Sequence, residues 1–122
     1  MIFHLNRSKT EKSFYFCSKK FSMRTREEYI AILQANADEL QNRFGITYMR
    51  LFGSVARNQH NEDSDVDLFV IMPPVFYTIC EAADFLENLL GCRVDVVRDH
   101  NNLKPLFKQQ IEKYGIDIFR AA

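Results

Sequence analysis

The chain is expected to fold as an α/β protein of the α+β kind, a small mixed sheet covered by helices, and three observations predict this. Stretches with a helical apolar period alternate with short strand-like runs rich in Val, Ile and Phe. The 122 residues, 47% hydrophobic, suffice for one domain with a core and are too few for two of ordinary size. No repeat or low-complexity stretch interrupts the alternation.

Taken in order, the first clear element is a helix over residues 26–44. Thr25-Arg26-Glu27-Glu28 has the spacing of a capping box, and Ile30, Leu33, Ala37, Leu40 and Phe44 make one apolar stripe. A strand over 46–52 follows, then a short helix capped by Ser54, then a strand over 66–72 ended by Pro73-Pro74. The pattern Phe76, Ile79, Ala83, Leu86 and Leu90 predicts a helix over 75–90, closed by Gly91 as a left-handed cap. Val75, Ala82, Phe85 and Leu89 widen its apolar surface beyond one stripe, which leaves room for an exposed patch that a protein partner could cover. A strand over 93–97 and a helix over 103–114, ending near Gly115, complete the layout. The helices are expected on one face of the sheet.

Residues 1–22 differ from the rest. They carry Arg7, Lys9, Lys12, Lys19 and Lys20 against Glu11, a balance of +4, so residues 23–122 carry 11 basic and 15 acidic side chains, a balance of −4. The segment has no clear period and precedes an internal methionine, Met23, so the domain is expected over 23–122. Residues 1–22 are then either a disordered extension upstream of the working start or a basic docking arm with Phe3, Phe14, Phe16 and Phe21 as anchors. A folded part with negative balance is a poor general binder of nucleic acid.

No run of residues is long and apolar enough to span a bilayer or to resemble a secretion signal, so a cytoplasmic protein is expected. Cys17, Cys80 and Cys92 are odd in number and lack Cys-x-x-Cys spacing, with His4, His60 and His100 scattered around them. They read as reduced thiols, Cys80 and Cys92 in or near the core.

The chemistry concentrates in residues 51–70. Gly53 ends an apolar strand and lets backbone approach an anion closely, Ser54 follows, and Arg57 falls in the first turn of the short helix, where its planar fork suits phosphate. Asp65 and Asp67 then open the next apolar strand. Alternation along a strand aims both carboxylates the same way, with α-carbons roughly 7 Å apart. Two such charges repel unless a proton or cation intervenes, and hard oxygen ligands suit magnesium. Asp63, Asp65 and Asp67 also match the first three ligand positions of a calcium-binding EF-hand loop. Leu68 stands where that loop needs glycine and Pro74 where it needs glutamate, which excludes it. A third acidic ligand is expected from a neighbouring strand, and Asp95, between Val94 and Val96, fits better than Asp99 beyond Arg98. The plainer alternative pairs Asp95 with Arg93 or Arg98.

The run Phe52-Gly53-Ser54, Arg57, Ser64-Asp65-Val66-Asp67, with Asp95 on a later strand, resembles the signature of the polymerase β nucleotidyltransferase superfamily. Over most of residues 23–114 the chain is similar to the minimal nucleotidyltransferases, single-domain members often paired with a HEPN-domain ribonuclease toxin. The resemblance implies the polymerase β-like nucleotidyltransferase fold, ATP as substrate and two Mg2+ ions. Asp65 and Asp67 would hold both ions, and Asp95 would complete the one that activates the attacking hydroxyl. Gly53, Ser54 and Arg57 would hold the β- and γ-phosphates, with Ser64 as a further nucleotide contact. Family members commonly have Gly-Glu after the arginine, where this chain has Asn58-Gln59. Asn tolerates a left-handed backbone, so the turn can survive, but a nucleotide contact from glutamate would be missing.

The implied function is transfer of a nucleoside monophosphate, AMP from ATP, to a hydroxyl of a partner protein, as the antitoxin of a HEPN toxin. Two other functions stand beside it. One is an antitoxin that acts by binding alone. The other is nucleotidylation of a small antibiotic, which in this superfamily usually needs an additional acceptor-binding domain for which this chain has no room.

Overall fold

The computed structural model describes residues 24–121 and the backbone of residues 2–4. Helix α1 (Arg26–Ala35) starts at the predicted capping box: the Thr25 hydroxyl accepts from the Glu28 amide, and the Glu28 carboxylate accepts from the Thr25 amide. The stripe then continues through a break. The Asn36 side chain donates to the Ile32 carbonyl (2.8 Å) and its backbone leaves helical geometry, so α2 (Ala37–Phe44) is a separate helix ended by left-handed Gly45. The single helix expected over 26–44 is therefore two.

Strand β2 (Tyr48–Phe52) leads into the one-turn helix α3 (Gly53–Ala56), and β3 (Val66–Ile71) returns antiparallel to β2. Helix α4 (Phe76–Leu90) carries the chain to β4 (Val94–Arg98), parallel to β3; a parallel pair requires such a crossover. Helix α5 (Pro105–Tyr114) and strand β5 (Ile116–Arg120) finish the domain, β5 antiparallel to β2. Strand β1 (Ile2–His4) pairs antiparallel with β4, giving one sheet in the order β1-β4-β3-β2-β5. The extension thus adds a strand to the sheet. Residues 5–23, with Cys17 and the expected anchors Phe14, Phe16 and Phe21, lie outside the described residues.

The strands bury two faces differently. Met49, Leu51, Val66, Leu68, Val70, Val94 and Val96 pack with Tyr29, Leu33, Leu40, Phe44, Ile79 and Leu86 of α1, α2 and α4 in the main core. The opposite face carries a smaller cluster of Tyr48, Phe69, Val97 and Ile111, flanked by Phe52, Leu103 and Phe107, so α5 covers part of it. Helices lie on both faces, not on one as expected. A lock holds α5 there. Arg50 donates to the carbonyls of Ile111 (3.0 Å) and Glu112 (2.7 Å) at the helix's end and pairs with Asp117 of β5, which also accepts from the Tyr48 hydroxyl.

Gly91 takes the predicted left-handed cap (φ 73°), and buried Glu87 accepts from the Val94 amide, tying the end of α4 to the start of β4. Phe76, assigned by the sequence to the core stripe, is 61% exposed. Val75 and Tyr77, its neighbours at the start of α4, are exposed as well, as is Ile71 at the end of β3. Cys92 is buried and Cys80 half-buried. Among the described residues no helix is long and apolar enough to cross a membrane.

Candidate active site

Register brings the acidic residues together. Asp67 of β3 lies beside Asp95 of the parallel strand β4 and opposite Phe52 of the antiparallel strand β2. Side-chain alternation places Asp65, Asp67 and Asp95 on the α5 side of the sheet. Burial, the charge of Asp95, a hydrogen bond between the two carboxyl groups, and the charge of Asp65 push the Asp67 carboxyl up to about 7, with Arg57 pulling the other way. Asp65 is half-buried, and its Oδ1 lies 4.0 Å from Nε of Arg93. Arg98 instead donates to the Met72 carbonyl (3.4 Å).

Gly53 faces this group. Its φ of +77° is a left-handed value, and a Cβ added there would stand 2.9 Å from Cγ of Asp67, so only glycine lets the start of α3 meet the carboxylate. The N-cap of α3 is Phe52, which makes Ser54 the second helical residue, and no side chain bonds the cap. Ser54 does not serve as the expected cap; its hydroxyl is not needed for that bond.

The turn after α3 holds the rest of the loop in place. The amides of Arg57, Asn58 and Gln59 donate to the carbonyls of Gly53, Val55 and Ser54, at 3.2, 3.0 and 2.8 Å. Asn58 is left-handed (φ 58°), so it fills the turn position predicted to tolerate it. The exposed Arg57 side chain touches Gln59 (Nε to Oε1, 3.3 Å). Farther on, His60 donates to the Arg24 carbonyl (2.8 Å) and Arg26 to the Ala56 carbonyl (3.1 Å), anchoring the loop to the start of α1. Ser64 bonds locally, its hydroxyl accepting from the Asn61 amide (3.0 Å). Asp99 stands apart, paired with Lys108 at 3.4 Å.

The carboxylates fit a hard divalent cation. A partly buried carboxyl that keeps its proton to near neutral pH beside two further carboxylates is electrostatically underpaired, and a cation would relieve it. Among the described residues no three ligating groups already converge as a finished cage, so the bonded pair of Asp67 and Asp95 would have to part and lose its proton. From the sequence Arg93 was an alternative partner for Asp95; in the structure it approaches Asp65. Its place one residue before β4, where its carbonyl accepts from Val66 (2.9 Å), puts it level with Asp65.

A family model described as polymerase beta, nucleotidyltransferase matches residues 34–122. The protein adenylyltransferase MntA of Thermococcus cleftensis is 44% identical over 78 residues, spanning 62% of this chain and 79% of that protein. A solved structure assigned as a minimal nucleotidyltransferase superposes with a TM-score of 0.65 at 34% identity, covering 78% of this chain and 97% of that one. A chain from the Shewanella oneidensis complex of a tri-AMPylated HEPN toxin with an MNT antitoxin gives a TM-score of 0.55 at 19% identity, covering 75% of this chain and 73% of that one. At that identity the likeness is one of fold. With the glycine turn, the paired aspartates and the third aspartate in register, the chain belongs to the polymerase β nucleotidyltransferase family, and it is a nucleotidyltransferase.

Proposed function

We propose that the protein moves AMP from ATP to a hydroxyl of a partner protein, a HEPN-domain toxin, and so acts as its antitoxin. The observation that carries this reading is Asp67, held in register beside Asp95 and against the backbone of Gly53. Phosphate and carboxylate chemistry therefore meet at one point. The similarity to a protein adenylyltransferase supports AMP as the group moved and a protein as its acceptor.

In this reading the amides at the start of α3, the Ser54 hydroxyl and Arg57 hold the β- and γ-phosphates, with Ser64 at the rim. Asp65, Asp67 and Asp95 would hold magnesium, which when bound supplies positive charge to the reacting phosphate and the leaving pyrophosphate. The acceptor oxygen attacks the α-phosphorus, a new P–O bond forms, and the bond to pyrophosphate breaks. Asp95 receives the hydroxyl proton. The negative balance of residues 23–122 disfavours a polynucleotide acceptor, and a domain this small leaves the acceptor side to be completed by another folded protein.

Incubation with ATP, magnesium and the product of the neighbouring gene tests this directly. Mass spectrometry should show added AMP on the partner, abolished by Asp65→Asn. Silencing of the toxin without added mass would favour binding alone, and modification of an aminoglycoside with the partner untouched would favour resistance chemistry.

A further inference from the structure

We propose that Phe52 and Phe107 form the wall against which the donor's nucleobase packs, so that the base is selected as a flat ring and not by hydrogen bonds. The proposal rests on the nucleotide-transfer reading and extends it to the base. Phe52 lies directly opposite Asp67 in the antiparallel pair, which puts both side chains on the same face of the sheet, next to each other. Its ring meets Phe107 of α5 edge to face, centroids 5.8 Å apart. Both residues are only half-buried, so ring surface remains available one side chain away from the carboxylates.

The cluster that packs with the pair is apolar, with Asp67 beside it. Leu103, Phe69, Val97 and Ile111 belong to the cluster, and its one hydroxyl, on Tyr48, is committed to Asp117. Such a wall offers stacking to any base and no donor or acceptor by which to separate adenine from guanine. It is also held in place, because Arg50 grips the last carbonyls of α5 and fixes the helix that carries Phe107. The expected behaviour is a preference for purine over pyrimidine triphosphates, which present less ring, with little distinction between ATP and GTP.

Calorimetric titration of the full chain with ATP, GTP, CTP and inorganic tripolyphosphate, each with magnesium, tests this. Phe107→Leu keeps apolar volume and removes the flat ring; it should weaken ATP and GTP about tenfold and leave tripolyphosphate unchanged, since stacking on one aromatic side chain is typically worth such a factor. Phe107→Tyr should restore purine affinity. Equal loss for ATP and tripolyphosphate in Phe107→Leu, or no loss for ATP, would overturn the wall. Wild-type protein that binds tripolyphosphate as tightly as ATP would overturn it too while leaving the phosphate-transfer reading intact, and binding of neither would overturn both.

Discussion

Gly53 and Asp67 are so closely apposed that no side chain fits between them. A Cβ at position 53 would stand 2.9 Å from Cγ of Asp67, on a backbone whose φ of +77° already disfavours any other residue. The glycine therefore sets both the backbone turn and the position of the carboxylate. Gly53→Ala should cost about 2–4 kcal/mol, from left-handed strain and displacement of the carboxylate together. Thermal unfolding checks the first effect and magnesium-dependent ATP binding the second; an alanine variant with full stability would show that the turn relaxes.

Asp67 should make metal-free stability fall as pH rises. Its folded carboxyl titrates near 7, above the ordinary value of 3.8, so between those values the folded state holds a proton that the unfolded state has lost. The stabilising contribution is complete below about pH 4 and is lost as pH rises through 7. Asp67→Asn should flatten that slope and gain about 1–2 kcal/mol at pH 8, while abolishing transfer. Melting curves from pH 4 to 8 in chelator test this, with a slope of the opposite sign as the contrary outcome.

Ser54→Ala and Arg57→Ala should each weaken ATP by about tenfold, the worth of a charge-assisted hydrogen bond, with melting temperature almost unchanged. Neither side chain supports the fold: no side chain bonds the α3 cap, and Arg57 is exposed and touches Gln59 on its own loop. Unaltered ATP affinity in both variants would remove the phosphate role from this turn.

An extension upstream of the working start would be dispensable for stability, but the β1 pairing makes Ile2–His4 part of the sheet. Ile2, Phe3 and His4 lie in register with Val97, Val96 and Asp95, so deleting residues 1–22 strips one edge of β4. A loss of about 1 kcal/mol, roughly 4–8 °C in Tm, is expected, with ATP binding retained because Gly53, Ser54 and Asp67 lie on other elements and Asp95 stays fixed by the β3 pairing on the other side of β4. Differential scanning calorimetry beside ATP titration separates the two effects.

Much of this site was legible because its parts depend on local rules. Alternation alone aims Asp65 and Asp67 together, the capping box at Thr25 and the left-handed cap at Gly91 follow from residue type, and a left-handed turn could be expected at Asn58. What remained hidden depends on partners distant in sequence. Strand β5 takes its place beside β2, with Asp117 paired to Arg50, and nothing in Ile116-Asp117-Ile118-Phe119 announces that partner. The break at Asn36 follows from its side chain competing for the Ile32 carbonyl inside an otherwise continuous stripe. The second face of the sheet was missed for the same reason, since α5 reaches it through a connection whose direction local periodicity does not encode.

The mixed direction of the strands has a kinetic corollary. Gly53, Ser54, Asp65 and Asp67 belong to neighbouring antiparallel strands and the short connection between them, whereas Asp95 arrives only after the 15-residue crossover α4 has docked. Contacts close in sequence form before those that need long loop closure. On that ordering a nascent or locally opened chain would hold the turn at Gly53 and the pair Asp65 and Asp67 before Asp95, the proposed proton acceptor, joins them. Activity would then switch on with the last parallel pairing, not with collapse of the core.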